Sequence, residues 1–209
     1  MELKEGIKKF FGKSWFLLWK DDSFKGWIFS ILFLFIFIKF IFFPALSLVT
    51  GTSLPLAIVE SCSMYHKGNI LSDYNEWWQN HNLKYSEFNI TKEQFEWFKF
   101  KDGFNKGDIL IIIGAKSEKL KVGDVIIFEA GKRNPIIHRI INIEFYDGEY
   151  IFSTIGDNNN GQLESEKYIK SSQLIGKAVF KPAPYLGWTK LIFFEYKKSA
   201  QERGFCSEN

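Results

Sequence analysis

An apolar run near the N-terminus limits what this chain can fold into more than any other feature. It extends from Gly26 to Gly51 (GWIFSILFLFIFIKFIFFPALSLVTG), and Lys39 is its only charged residue. A helix needs about 20 predominantly apolar residues to cross a bilayer. A cleaved leader would have a shorter apolar core that ends in small residues, and a buried core helix is the remaining alternative. The run predicts a transmembrane helix over residues 26–50, which Pro44 kinks or ends.

The charges on either side of this run predict its orientation. Six lysines precede it, whereas residues 51–66 contain no Lys or Arg. The positive-inside rule therefore places residues 1–25 in the cytoplasm and residues 51–209 outside it, in a single-pass protein of the cell membrane. Residues 1–25 are either a plain extension of the membrane helix or an amphipathic helix on the inner leaflet. The apolar face of that helix would hold Phe10, Phe11, Trp15, Leu18 and Trp19.

Beyond the apolar run the sequence is typical of a β-rich domain over residues 51–192. Short runs of Val, Ile, Phe and Tyr alternate with Gly-Asp turns, as in GDILIIIGA, VGDVIIFEA, PIIHRIINIEF and EYIFSTIG. This pattern predicts mostly antiparallel strands, some of them buried on both faces. The fold class is therefore mainly β, with a transmembrane helix in front. Residues 193–209 are expected to be a polar, solvated tail in which Cys206 has no role.

Residues 70–105 interrupt the strand pattern with two helical stretches rich in Trp, Tyr and Phe. Thr91 and Gln94 have the spacing of a capping box. The aromatic residues suit a small local core packed on the sheet, which we favour, or a flap that skims the membrane or shields a substrate. Asn89 begins the glycosylation sequon NIT, on the side predicted to lie outside.

Composition excludes several classes of function. The net charge of +3 argues against an extensive nucleic-acid surface. Two cysteines do not make a disulfide framework and lack the spacing of metal ligands, so neither a metal nor a cofactor is expected.

The stretch VESCSMYHKG contains the candidate nucleophiles. Cys62 is intrinsically the better nucleophile, but on an extended backbone Ser61 and Ser63 share one face while Cys62 takes the other. His66 is too close in sequence to serve Ser63 easily, and a base from a distant strand is the usual arrangement. Of the other two histidines, His81 lies in the aromatic insert and His138 lies in a strand.

Four motifs occur in order behind the apolar run: ESCSM, KVGDVIIFE, PIIHRI and STIGDNNNG. Together they resemble type I signal peptidases of the archaeal and endoplasmic-reticulum kind over roughly residues 55–190. The resemblance implies that Ser63 is the nucleophile, His138 the general base and Asp157 the carboxylate that orients the histidine. It also implies that Ser61 helps to form the oxyanion hole.

The sequence departs from the family pattern at two places. Cys62 stands where a small residue is common, and the second aspartate expected after the G-D-N motif is missing, so that Glu164 or Glu166 would replace it. The implied substrates are secretory preproteins with small residues before the cut. The implied partners are the lipid bilayer and protein-translocation machinery. Three alternatives are a related peptidase with another membrane substrate, a non-catalytic β-domain subunit of a secretion complex, and a membrane-anchored adhesin or receptor.

Overall fold

The N-terminal unit is helical. The computed structural model describes residues 2–67, 74–132 and 134–207. Helix α1 (Glu2–Trp19) is followed by α2 (Phe24–Phe37), whose N-cap Ser23 accepts a hydrogen bond from the Gly26 amide. The two helices pack on each other, and the Ser30 hydroxyl donates to the Leu17 carbonyl at 3.4 Å. The side chains of Phe10 and Phe11 lie outside the described residues, so the predicted amphipathic face of α1 stays a prediction.

The predicted membrane helix continues through a local irregularity. A π-helical turn (Ile38–Phe42) joins α2 to α3 (Phe43–Thr50), and together they form one 27-residue helix of mean hydropathy 2.5. Among the described residues it is the one helix long and apolar enough to span a membrane. The irregular turn comes just before Pro44, which has no N–H to donate and whose ring crowds the preceding turn. Pro44 therefore distorts the helix without ending it.

The described part of residues 50–209 is built on one seven-stranded antiparallel sheet. Its strands, in chain order, are β1 (Leu56–Ile58), β2 (Ile109–Ile113), β3 (Val125–Phe128), β4 (Ile136–Tyr146), β5 (Glu149–Ile155), β6 (Ile169–Lys170) and β7 (Leu174–Ala183). Their order in the sheet is β1-β2-β7-β3-β4-β5-β6. All four residues of β3 are buried, as expected for a strand covered on both faces. The predicted fold class, an apolar N-terminal helix before a β-rich domain, is confirmed.

Two Gly-Asp turns with the same hydrogen-bond pattern precede strands β2 and β3. Gly107 and Gly123 have φ angles of +93° and +94°, which glycine adopts without steric strain. In each turn the following aspartate accepts a hydrogen bond from a backbone amide three residues earlier, Asp108 from Asn105 and Asp124 from Lys121. The carboxylates thus close the turns from which the strands start.

The aromatic insert packs on the sheet. Helix α4 (Tyr74–Ser86) and the short helix α5 (Lys92–Glu96) follow each other, and Thr91 and Gln94 form the predicted capping box. Their aromatic side chains form a core with β4 and β5, whose members are Trp77, Trp78, Tyr85, Ile90, Phe95, Ile141 and Ile155. Most of these aromatics are therefore buried in a local core, whereas Trp97 stays 89% exposed.

The C-terminal segment is linked to the rest of the domain by a disulfide. After α6 (Trp188–Leu191) the chain makes short helical turns, and Cys206 forms a disulfide with Cys62. The prediction that Cys206 has no role is wrong, because the two cysteines are separated by 144 positions in the sequence and only the folded domain brings them into contact. Residues 193–207, the described part of the predicted tail, are attached to the domain by this disulfide.

Candidate active site

Ser63 and His138 meet although they are 75 residues apart in the chain. Ser63 lies just after edge strand β1, and His138 lies on β4, paired with Ile126 of β3. The Ser63 hydroxyl donates to His138 Nε2 at 2.8 Å. His138 is 3% exposed, whereas Ser63 is only partly buried. A buried imidazole thus faces a hydroxyl that is partly accessible to solvent.

Glu166 contacts the other nitrogen of His138. Its Oε1 accepts hydrogen bonds from His138 Nδ1 and, at 3.2 Å, from the Thr154 hydroxyl. Its Oε2 accepts from the Leu163 amide at 2.8 Å. The carboxylate is fully buried, so both of its oxygens are held in place. With Nδ1 donating to Glu166, Nε2 is left free to accept the Ser63 proton.

Glu164 lies elsewhere. The sequence offers Glu164 or Glu166 for the missing second carboxylate. The Glu164 side chain is 88% exposed and pairs with Lys167. The short 3₁₀ turn Glu164–Glu166 points its first and last residues in different directions, so one faces solvent and the other the interior. Of the two glutamates, Glu166 is the one that reaches His138.

The Ser61 and Ser63 side chains lie on one side of their segment, although its backbone turns there and is not extended as the prediction assumed. Their hydroxyl oxygens are 3.1 Å apart. Because Ser63 donates its proton to His138, Ser61 is the donor in this pair. Cys62, expected to be a small buried hydrophobe, is instead disulfide-bonded to Cys206. Cys62, which lies between the two serines, therefore has no free thiol.

Asp157 is not the carboxylate that contacts His138. Its Oδ1 accepts from Tyr85 Oη at 2.8 Å and from Arg139 Nε at 2.9 Å, and its Oδ2 accepts from Arg139 Nη2 at 2.6 Å and from His66 Nε2 at 3.0 Å. Both oxygens are thus engaged, while both His138 nitrogens are engaged by Ser63 and Glu166. The reason lies in β4, where successive side chains point to opposite faces of the sheet. His138 faces Ser63, and Arg139 faces the aromatic insert and Asp157.

The charges in this buried network are set by its surroundings. Burial works against ionisation of Asp157, but the Arg139 guanidinium and the hydrogen bonds from His66 and Arg139 hold the pKa of the carboxyl far below its usual range. Burial lowers the pKa of His66, and the contact with Asp157 offsets this only in part. Burial also raises the pKa of Tyr85 well above its usual value. A charged Asp157–Arg139 pair is therefore surrounded by neutral donors.

The G-D-N loop contacts the Ser63 segment through its backbone. The Asn158 amide donates to the Ser63 carbonyl at 2.8 Å, and the Asn158 side-chain amide donates to the Cys62 carbonyl at 3.1 Å. A Cβ at Gly156 would lie 2.7 Å from the Ser63 carbonyl oxygen, so only glycine allows this approach. The Lys84 ammonium of α4 binds the backbone of the same loop at the Asp157 and Asn159 carbonyls. The loop links the Ser63 segment to the insert.

Sequence reasoning missed three members of this arrangement: His66, Lys84 and Tyr85. His66 is too close to Ser63 in sequence to serve it easily, and in the structure it stacks on Trp77 with ring centroids 3.7 Å apart. Burial lowers the pKa of Lys84 to about 8. The motif order did not point to these residues, because the insert that carries Lys84 and Tyr85 lies between the motifs. Among the described residues no group of His, Cys, Asp and Glu is arranged to hold a metal ion.

Asp157→Asn should mainly lower the free energy of unfolding of the protein. Its effect on the rate of any reaction should be smaller. The substitution leaves the fully buried Arg139 without its counter-charge, and breaking a buried pair in this way costs about 3–5 kcal/mol. Unfolding of the full-length protein in detergent, followed by circular dichroism, measures the loss. Asp147→Asn is the matched control, since Asp147 is exposed in the β4–β5 turn at φ 51°, a conformation that Asn also tolerates.

The same variant should change the response to acid. Because the folded pKa of Asp157 is depressed, its contribution to stability is complete above the unfolded value of about 3.9 and is lost as the pH falls below it. The acid-induced loss of stability below about pH 3.9 should therefore be shallower in Asp157→Asn. An unchanged free energy of unfolding would show that Arg139 is satisfied without Asp157.

Comparison with known proteins confirms the resemblance seen in the motifs. No protein-family model matches the chain. Curated relatives named signal peptidase complex catalytic subunit SEC11 do match it. The protein from Scheffersomyces stipitis is 29% identical over 104 residues, which are 44% of this chain and 62% of the relative. That from Candida albicans is 28% identical over 98 residues, 44% of this chain and 58% of the relative. That from Lodderomyces elongisporus is 30% identical over 99 residues, which are again 44% of this chain and 58% of the relative. The matches thus span about three fifths of these relatives.

Proposed function

We propose, from this similarity to signal peptidase catalytic subunits and from the geometry around Ser63, that the chain is a membrane-anchored serine endopeptidase that removes signal peptides from secreted preproteins. The observation that carries the proposal is the chain of contacts from Ser63 through His138 to Glu166. A nucleophile, a base within hydrogen-bond reach and a group that orients the base are the parts that covalent hydrolysis of a peptide bond needs.

The proposed reaction uses these three side chains in order. His138 Nε2 takes the proton from Ser63 Oγ as this oxygen attacks the scissile carbonyl carbon. Glu166 holds the imidazole by its Nδ1 and stabilises the positive charge that forms on it. His138 then gives the proton to the amine of the departing mature chain, and the signal peptide remains as an ester on Ser63. Water that gives a proton to the same histidine hydrolyses the ester.

The oxyanion formed in this reaction needs donors that are already in place. The Ser61 hydroxyl, 3.1 Å from Ser63 Oγ, is one candidate, and the Ser63 backbone amide is the other. Both donors belong to the segment that the G-D-N loop holds through Cys62 and Ser63. In this proposal Asp157 acts on the reaction only through the loop that it anchors.

The proposed location follows from the membrane helix and the lysine asymmetry. Residues 1–25 would lie in the cytoplasm and the β-rich domain outside it, where signal peptides leave the bilayer. The Cys62–Cys206 disulfide supports this placement, because disulfides persist in oxidising compartments and are rare in the cytosol. Secretory preproteins, the bilayer and translocation machinery are the proposed partners.

Incubation of the detergent-solubilised protein with a purified secretory preprotein tests the proposal. The expected product is a single cut after a small residue at the end of the signal peptide, located by mass spectrometry. Cleavage of other membrane proteins with preproteins left intact would favour a related peptidase with another substrate. Absence of any cleavage by folded protein would favour a non-catalytic subunit.

Glu166→Gln should lower the turnover number by about 10⁴-fold. A glutamine cannot balance the charge on the imidazolium and allows the wrong histidine tautomer, which has an effect of this size in serine proteases. Glu164→Gln is the matched control, since that side chain is exposed and pairs only with Lys167 among its described contacts. The rates of preprotein cleavage are compared at equal concentrations of folded enzyme. A harmless Glu166→Gln alongside an inactive Glu164→Gln would reverse the assignment.

A further inference from the structure

The residues that hold the Ser63 segment come partly from the C-terminal end of the chain. The backbone of residues 60–62 belongs to no strand. The Glu60 carbonyl accepts from the Lys198 ammonium at 2.6 Å, and Cys62 is bonded to Cys206. Two of the contacts on this short segment are therefore made by residues 193–207, which we name the C-terminal strap.

The strap is itself fixed to the domain, so it can transmit a constraint. The Lys106 ammonium is buried and donates to Glu195 Oε2 at 2.7 Å, to the Glu202 carbonyl at 2.7 Å and to the Gly204 carbonyl at 3.1 Å. A buried ammonium paired with a carboxylate and two carbonyls is a strong anchor, because losing Glu195 would leave its charge unpaired. The Phe205 ring packs on Trp188, with centroids 5.0 Å apart. The disulfide therefore joins Cys62 to a support with little freedom.

One residue couples the strap to the G-D-N loop. The Asn158 side-chain amide donates both to the Cys62 carbonyl at 3.1 Å and to the Ser207 carbonyl at 3.2 Å. The backbone amide of the same residue donates to the Ser63 carbonyl at 2.8 Å. Ser207 follows Cys206 directly, so the disulfide joins the two residues next to these carbonyls, and opening it removes a covalent constraint on the position of both.

We propose that Cys206 and the C-terminal strap are positioning elements for Ser63, and that the Cys62–Cys206 disulfide makes the peptidase activity dependent on redox state. This rests on the proposed function for its effect on catalysis, whereas the effect on the Ser63 segment stands by itself. With the disulfide closed, Ser61 and Ser63 are held on the side that faces His138. Before the domain reaches an oxidising compartment the disulfide is open, and the segment lacks this covalent constraint.

The redox step is a thiol–disulfide exchange with a dithiol. A thiolate of the dithiol attacks one sulfur, and the Cys62–Cys206 bond breaks while a mixed disulfide forms. The second thiol of the reagent resolves it. The protein gains two electrons and two protons as two thiols, and the reagent becomes a disulfide. Re-oxidation reverses the step.

The test compares oxidised and dithiothreitol-reduced full-length enzyme in detergent. Reduction should lower the turnover number roughly 10- to 100-fold, the size of effect that a displacement of about 1 Å at a reacting atom has. Re-oxidation should restore it. Cys206→Ala, which leaves the ESCSM motif unaltered, should reproduce the reduced enzyme. The double variant Cys62→Ala/Cys206→Ala should be indifferent to the reductant, which controls for effects of the reagent elsewhere.

Hydrogen–deuterium exchange supplies a readout that needs no substrate and that a loss of overall stability alone would not produce. Reduction should speed exchange in residues 59–64 and 156–159 while the strands β3 and β4 keep their protection. Unchanged exchange in those two segments, or faster exchange with an unchanged rate of cleavage, would overturn the proposal. If the oxidised enzyme cuts no preprotein, the proposed function fails separately, and the exchange data still decide whether the disulfide holds the Ser63 segment.

Discussion

Ser63→Ala should abolish preprotein cleavage, with a loss of about 10⁶-fold, while the fold stays intact. Removing the nucleophile of a serine peptidase has an effect of this size, because the remaining groups cannot form the acyl-enzyme. Ser63 Oγ donates to His138 and accepts from Ser61, and the side chain is only partly buried, so losing the oxygen leaves no large cavity. The measurement is the rate of cleavage at equal concentrations of folded protein.

Two further measurements separate Ser63 from its neighbours. Ser61→Ala should cause an intermediate loss of about 10²–10³-fold, as expected when one oxyanion donor is removed. Thiol-alkylating reagents should leave the oxidised enzyme active, because Cys62 is bonded to Cys206 and has no thiol to modify. If the Ser63→Ala variant still cleaves the preprotein, Ser63 is not the nucleophile.

His138→Ala should have the second large effect, also approaching 10⁶-fold. Loss of the base in a serine peptidase costs about as much as loss of the nucleophile, because the two act as a unit. The alanine has no ring nitrogen to accept the proton from Ser63. The rates of preprotein cleavage by the wild type and the variant, at equal concentrations of folded protein, check this expectation.

His66→Gln is the matched control for His138→Ala. The glutamine amide can still donate to Asp157 in place of His66 Nε2, which lies 3.0 Å from the carboxylate. The variant should therefore retain most of its turnover, although it loses the stacking on Trp77 and some stability. An active His138→Ala together with an inactive His66→Gln would transfer the role of base to the local histidine.

The sequence by itself determined the features that depend on local pattern. The length of an apolar run sets whether a helix can span a membrane, and the β-rich runs between Gly-Asp turns predict strands, so the fold class followed from residues close together in the chain. The order of four short motifs led to Ser63 and His138, which the structure brings to 2.8 Å. The spacing of Thr91 and Gln94 likewise predicted a capping box that is present.

Only the tertiary structure decided which carboxylate meets which base. The motifs assigned Asp157 to His138, but β4 directs His138 and Arg139 to opposite faces, and Asp157 lies on the side of Arg139. Glu166 reaches His138 across 28 residues, and Cys62 reaches Cys206 across 144. Such contacts depend on where strands and turns bring distant segments together, and neither the spacing of residues nor their composition records that arrangement.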